Sequence, residues 1–295
     1  MPNLKDLKNR IRSVENTQQI TKAMKMVAAA KLRRSQERAE TARPYSEKMT
    51  EMSASLARGM SDAEGGHPLI SGHTENPKKI EIVLFTADRG LCGSFNSGVI
   101  RAVRAKIEAL QANGKKVSLT CVGTKGDEVL RRQFEPLIRN RLAGMTRELS
   151  FENVEKELAL QLVHDYDEGV FDECYIVYNK FKSAMTQILT WRRLMPVEVG
   201  EEQEEVGGGA SHLFEPEEDE LLADLLPKSV AVQLYQALVE SDASEHGSRM
   251  TAMDNAVRNA ADMIQKLTIT YNRTRQAVIT TELMEIIGGA ESLKG

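Results

Sequence analysis

Residues 239–278 read VESDASEHGSRMTAMDNAVRNAADMIQKLTITYNRTRQAV, and one spacing runs through the whole stretch. Val239, Ala243, His246, Met250, Met253, Val257, Ala260, Ile264, Leu267, Tyr271, Thr274 and Val278 alternate at four and three residues without a slip. That period of about 3.5 is the seam of a coiled coil, and the run is too long for one helix of a compact domain. Met, Ala, Thr and His stand where Leu and Ile pack tightest, which predicts a coil that tolerates twisting rather than one of maximal stability.

The opposite end of the chain carries a matching pattern. Residues 3–57 contain no glycine and one proline, Pro44. Leu4, Leu7, Ile11 and Val14 begin a seam that Thr17, Ile20, Met24 and Val27 continue. The spacing around Thr17 is one residue short of the heptad, a stammer that overwinds a coil locally. Two long helices from the two ends, joined through a domain at one end, are expected to pair antiparallel.

Between them the texture changes. Residues 61–77 hold Gly65, Gly66, Pro68, Gly72 and Pro77 and read as a linker. Strands are predicted at Ile80–Thr86, Lys116–Val122, Glu173–Phe181 and Met185–Met195, with helices at Phe95–Ala112 and Phe151–Glu168. Alternating strands and helices argue a small α/β domain. Helix is expected to resume near Glu217, break at Pro227, and stop at Gly288-Gly289. The expected organisation is an N-terminal coiled-coil helix over 1–60, a linker over 61–78, and a central α/β domain over 79–199. An acidic, glycine-rich loop then covers 200–216, and a C-terminal helix covers 217–295, coiled from about 228. The fold class is α+β: a long antiparallel coiled coil plus a central Rossmann-like α/β domain.

Charge is split along the chain although the net value is −4. Residues 1–58 hold 13 Lys and Arg against 6 Asp and Glu, and residues 198–220 hold ten acids and no base. A basic segment fits an acidic partner. No aromatic residues interleave with Lys22, Lys25, Lys31, Arg33, Arg34 and Arg38, so nucleic acid is not the expected one. Cys92, Cys121 and Cys174 are scattered without a Cys-x-x-Cys, which fits a reducing compartment and no zinc site. No apolar run reaches the roughly 20 residues that cross a bilayer, and no secretory h-region opens the chain. The expectation is a soluble, cytoplasmic protein that does not insert in the membrane.

The most enzyme-like feature is the loop from Thr86 to Asn96, with glycines between a strand and a helix, where nucleotide folds hold phosphate. Its glycines do not make G-x-G-x-x-G, and no P-loop occurs anywhere, so a tight structural turn is expected. His164, Asp165, Asp167 and Glu168 cluster at a helix end, but the histidines never fall at i, i+4; no metal site is expected. Cys92 has no neighbour that would activate a thiol. Neither a catalytic site nor a cofactor is expected on this chain.

Three segments carry a family resemblance. TQQITKAMKMVAAAKLRR from Thr17, DRGLCGSFN from Asp88 and YNRTRQAVITTELMEIIGGA from Tyr271 resemble motifs of the gamma subunit of F-type ATP synthases, bacterial type. The resemblance runs nearly end to end. It implies a rotary shaft that couples proton flow to nucleotide chemistry on other subunits. The implied partners are the alpha and beta subunits of the catalytic ring, the epsilon subunit and the c-ring of the membrane sector. The implied location is peripheral, at the cytoplasmic face of the bacterial inner membrane. By motif, Arg275, Gln276, Thr280 and Glu282 match the shaft's contact with beta-subunit loops, and Met24 and Lys25 a coupling-sensitive region. Charge assigns Lys31, Arg33 and Arg34 to an acidic beta-subunit loop. His212, Phe214 and Glu215 match the contact with the membrane ring, His212 replacing the family's usual aromatic. After Val278 the apolar stripe moves to Ile279, Leu283 and Ile286, as it would where the partner helix has ended. The alternative is a scaffold coiled coil with a non-catalytic α/β domain.

Overall fold

The computed structural model describes residues 3–60, 68–74, 76–147, 149–197 and 218–292. His212, Phe214, Glu215 and the acidic loop lie outside them. Two compact units emerge, residues 29–248 and residues 1–28 together with 249–295.

The larger unit is built on a sheet of five strands in the order β3-β2-β1-β4-β5. They are β1 (Lys79–Phe85), β2 (Lys116–Val122), β3 (Ile138–Leu142), β4 (Glu173–Phe181) and β5 (Gln187–Met195). The first four are parallel, and β5 returns antiparallel beside β4. Side-chain alternation sorts β1 between two layers. Ile80, Ile82 and Leu84 pack with α3 (Phe95–Ala112) and α4 (Thr124–Phe134). Val83 and Phe85 pack on the other side with α5, which starts at Phe151–Val154, passes through a π-type stretch Glu155–Ala159 and ends as Leu160–Asp167. That second layer also takes in Leu226, Val230, Leu234 and Val239 of α6 (Glu218–Ser292).

Glu81 breaks the apolar run of β1 yet is fully buried. Ser118 and Thr120 of β2 donate to it, and Arg139 of β3 reaches it at 3.4 Å while also holding Asp165 of α5 at 2.6 Å. Burial pushes the Glu81 carboxyl up, against those donors. A buried charge with several donors is tolerable where an unpaired one is not. The same ladder explains Asp165: it pairs with Arg139.

The sequence expectation missed β3 and α4, whose polar Arg139, Asn140 and Arg141 mask an edge strand. It also read all of 61–77 as linker, whereas Pro68–Ser71 forms a short helix, α2, whose Leu69 is fully buried. Tyr166 fixes that turn by donating to the Pro68 carbonyl at 3.1 Å.

The long N-terminal helix α1 (Leu4–Met60) corrects the expected stammer. Its inward residues are Leu4, Leu7, Ile11, Val14, Gln18, Thr21, Lys25, Ala28, Leu32, Ser35, Ala39, Ala42, Ser46 and Met49, alternating at three and four throughout. Ile20 and Val27 are 60% and 58% exposed instead. Choosing apolar residues over polar ones created the apparent slip. The seam accepts polar side chains because they find partners across it: Ser35 donates to Asp242 at 2.5 Å and Ser46 to Gln236 at 2.7 Å.

The C-terminal helix corrects two further expectations. Pro227 does not interrupt α6. An internal proline costs about 3 kcal/mol, and the buried Leu226, Val230, Ala231 and Leu234 anchor the helix on both sides of it. Gly288 and Gly289 do not end it either; neither adopts the left-handed conformation of a stop, and the helix continues to Ser292.

Within α6 every residue from Ser241 to Ser248 is buried. Gly247 permits this crowding, because a Cβ there would sit 3.2 Å from the Ala184 Cα and 3.3 Å from the Phe181 ring. Gly247→Val is expected to destabilise by about 1–3 kcal/mol through overpacking. Gly247→Ala should be near neutral, its contact strain offset by about 1 kcal/mol of helix propensity. Urea denaturation with unchanged m-value would check both; a Val variant as stable as the parent would refute the close packing.

Candidate functional site

In a doubly wound sheet, ligands bind outside the carboxyl ends of the strands where the strand order reverses. Here that point lies between β1 and β4. It is filled by the chain itself. Asn179, in β4, donates to the Phe95 carbonyl at 3.2 Å, and Ser248 of α6 donates to the Cys92 carbonyl at 2.6 Å. Asn96 accepts from the Ala87 N–H at 2.9 Å and donates to Cys92 Sγ at 3.3 Å.

Asp88 organises the rest of the loop. Its carboxylate accepts from the N–H and hydroxyl of Thr124 at 3.1 and 2.9 Å, the N–H of Gly144 at 3.1 Å and the hydroxyl of Thr146 at 3.3 Å. Burial opposes its ionisation, but donation from Gly144, Thr124 and Thr146 outweighs burial and holds the carboxyl below its ordinary 3.8. Beneath it, Thr86 accepts from the Gly126 N–H at 2.9 Å. Gly123, at φ +97°, passes so close that a Cβ would lie 1.9 Å from the Thr86 carbonyl oxygen. The groups that cradle phosphate in nucleotide folds here bind one another, so the loop is a structural clasp joining the ends of β1, β2 and β3.

The smaller unit offers a different kind of surface. Lys25 meets Asp254 at 2.5 Å, and Gln18, earlier in α1, donates to the carbonyl of Val257, later in α6, at 3.4 Å. The helices therefore run antiparallel. Met253 and Ala260 are buried, and Val257, Ile264, Leu267, Tyr271, Thr274 and Val278 half-buried, the predicted seam of α6. Asp254 also binds Arg258 at 2.5 Å. Its carboxyl is held below the ordinary value first by Lys25 and then by Arg258.

From residue 279 to residue 290 every position is exposed. Ile279, Leu283, Met284, Ile286 and Ile287 are between 51% and 69% exposed, a concentration of bare apolar surface on one helix end. At about 100° per residue, Ile279, Leu283, Ile286 and Ile287 share an arc of about 160° with Arg275, Gln276, Thr280 and Glu282. All four polar residues are exposed: Arg275 and Glu282 border one side of the apolar stripe, Thr280 the other, and Gln276 falls between Leu283 and Ile287. The Thr280 hydroxyl donates to the Gln276 carbonyl at 2.9 Å, which leaves its oxygen lone pairs free to accept.

The remaining predicted residues are placed less uniformly. Met24 is half-buried, and Lys25 is committed to Asp254, an internal strut that the sequence did not disclose. Lys31, Arg33 and Arg34 are exposed, and Arg33 binds Glu37 at 3.0 Å. Among the described residues, no helix is long and apolar enough to cross a membrane.

The Asp88 clasp generates a pH signature. Its folded pKa lies below the unfolded one, so its contribution is complete above about pH 4 and is lost as pH falls through the folded value. Asp88→Ala is expected to cost about 2–4 kcal/mol at pH 7, from lost charge-assisted hydrogen bonds. The gap from the parent should narrow below pH 4. Urea melts across pH 7 to 3 would test this; a gap that stays constant would exclude an ionised Asp88 as the clasp.

A family model described as ATP synthase matches residues 3–293. The ATP synthase gamma chain of Magnetococcus marinus is 56% identical over 295 residues, covering all of both chains. That of Rhodospirillum rubrum is 47% identical over 301 aligned positions, covering 99% of this chain and all of its own. Among solved structures, a chain of the Tetrahymena thermophila mitochondrial ATP synthase central stalk and c-ring superposes with a TM-score of 0.60 at 29% identity, covering 80% of this chain and 99% of that one. A chain of the Euglena gracilis mitochondrial ATP synthase rotor shares the fold, with a TM-score of 0.64 at 20% identity over 94% of this chain and 98% of that one. Sequence, fold and the antiparallel helix pair agree: the chain belongs to the ATP synthase gamma-chain family.

Proposed function

We propose that this chain is the central rotary shaft of an F-type ATP synthase, coupling transmembrane proton flow to ATP synthesis and hydrolysis on beta subunits. One observation carries the reading. Helix α6 outruns its seam and presents an apolar stripe that shares one face with Arg275, Gln276, Thr280 and Glu282. Covering such side chains is worth about 1.5–3 kcal/mol each, so the helix end is shaped to be gripped by a surrounding sleeve. The sleeve is the ring of alternating alpha and beta subunits. The polar four bind beta-subunit loops, and Met24 and Lys25 contribute to the same bearing. Lys31, Arg33 and Arg34 face an acidic beta-subunit loop.

The Rossmann-like domain serves as the foot on the c-ring, with the epsilon subunit beside it, and His212, Phe214 and Glu215 contribute to the ring contact. The chemistry belongs to the beta subunits, consistent with a nucleotide crevice that this chain fills with its own Asn179, Ser248 and Asn96. The protein works peripherally, at the cytoplasmic face of the bacterial inner membrane.

Coupling follows from asymmetry. As the shaft turns, each beta subunit meets a different face of α6, and any face that binds one beta conformation more tightly shifts that subunit toward it. Rotation then cycles nucleotide affinity. In the assembled complex, Arg275→Ala combined with Gln276→Ala is expected to lower ATP-driven proton pumping about five-fold or more, the low end of typical coupling free energies. The melting temperature of the free chain should not move, since both side chains are exposed. Inverted-vesicle pumping assays would measure this; undiminished pumping favours the scaffold alternative.

A further inference from the structure

The larger unit holds a cavity of about 550 Å³ that the sheet does not require and that the shaft reading touches only at Arg34. It is lined by Arg34, Arg38 and Tyr45 of α1, Tyr235 of α6 and Phe151 at the start of α5. Phe151 and Tyr235 meet edge to face at 5.9 Å between ring centroids. Ser46 and Gln236, which also line it, are joined by a hydrogen bond. Pockets of about 300–1,000 Å³ that combine apolar walls with a few convergent polar groups are the size and character of small-molecule sites.

Charge decides what the cavity would take. Arg34 and Arg38 stand four residues apart and so project from one face of the helix. Among the described residues neither makes an ion pair, unlike their neighbour Arg33, whose guanidinium is held by Glu37. That same pairing compensates Glu37, the one carboxylate lining the cavity. Two uncommitted guanidiniums therefore border an aromatic slot, and Tyr45, 55% exposed, has a face still to be covered. A guanidinium binds a carboxylate bidentately, and aromatic walls favour a flat apolar body.

We infer that this cavity is a binding site for a small aromatic carboxylate, its ring between Tyr45 and the Phe151–Tyr235 pair and its carboxylate on Arg34 and Arg38. A ligand there touches α1, α5 and α6 at once and would brace the two long helices against the α/β domain. The inference goes beyond the shaft reading, which shares only Arg34 with it: Arg38, Tyr45, Phe151 and Tyr235 have no part in that reading.

Calorimetric titration of the full-length chain with 2-naphthoate tests it. Saturable one-to-one binding is expected. Arg38→Gln should weaken it about ten-fold, the worth of one charge-assisted contact. Ala42→Trp, which fills the slot, should abolish it with an unchanged circular dichroism spectrum. Neutral 2-naphthamide should bind at least about ten-fold more weakly, and inorganic phosphate should not compete. Absence of saturable naphthoate binding would overturn the site, as would binding that Arg38→Gln leaves intact. Equal binding of the amide, or full competition by phosphate, would each refute the combined aromatic and anionic recognition. If Ala42→Trp unfolds the chain, Arg38→Gln, at an exposed position, still decides the matter.

Discussion

Everything in this molecule depends on what covers the C-terminal helix at each point along it. From Ser241 to Ser248 no side of α6 is open, since helix α1 and the hairpin of β4 and β5 both press on it. From Met253 to Val278 burial contracts to a single stripe, and from Ile279 to Ala290 every described residue is exposed. One helix thus serves successively as a core element, half of a coiled coil and a bare spindle. Its composition follows: small and polar residues where space is shortest, a mixed heptad where one partner lies alongside, and exposed isoleucine, leucine and methionine beyond the end of the seam.

The central domain shows how a nucleotide-binding architecture becomes a mounting block. The reversal of strand order, which elsewhere opens a crevice, is present between β1 and β4, but Asn179, Ser248 and Asn96 spend its hydrogen bonds internally. Asp88 does likewise at the ends of β2 and β3, with donors from Thr124, Gly144 and Thr146. A carboxylate at the place where phosphate would bind also repels phosphate. The hydrogen-bonding groups of the crevice thus tie the ends of β1, β2 and β3 together, a fold shared with ligand-binding proteins used here as an internal clasp.

Much of this was legible in the sequence where periodicity carries information. The α6 seam from Met253 to Val278, the shift of the apolar stripe at Ile279 and four of five strands follow from spacing alone. Failures cluster where polar residues are buried or apolar ones exposed. Ile20 and Val27 drew the α1 register outward because only tertiary contacts reveal that Gln18 and Lys25 have partners on α6. Arg139 hid β3 because its charge is satisfied by Glu81 and Asp165, which are remote in sequence. Gly288 and Gly289 looked like a stop because propensity was the only local signal there. For the proposed bearing surface, geometry adds what a motif cannot: Arg275, Gln276, Thr280 and Glu282 share an arc of about 160° with the apolar stripe.

The polar seam also bears on how such a helix pair keeps its register. An all-leucine seam packs almost as well after slipping one heptad, whereas a polar pair does not. Slipped by seven residues, Lys25 would face Gly247 or Ala261 instead of Asp254, and Ser35 would face Tyr235 or Arg249 instead of Asp242. The two pairs weigh differently. Lys25 and Asp254 are 43% and 32% exposed, so their separation costs at most about 1 kcal/mol. Asp242 is 5% exposed, and losing the Ser35 hydroxyl would leave it only the His246 ring, 3.4 Å away on the same helix, at a cost of about 1–3 kcal/mol. Register is therefore fixed chiefly at Ser35 and Asp242, deep in the larger unit, and only trimmed at Lys25. Weak apolar packing is then compatible with a defined register, because a buried polar contact rather than leucine sets the pairing of the two helices.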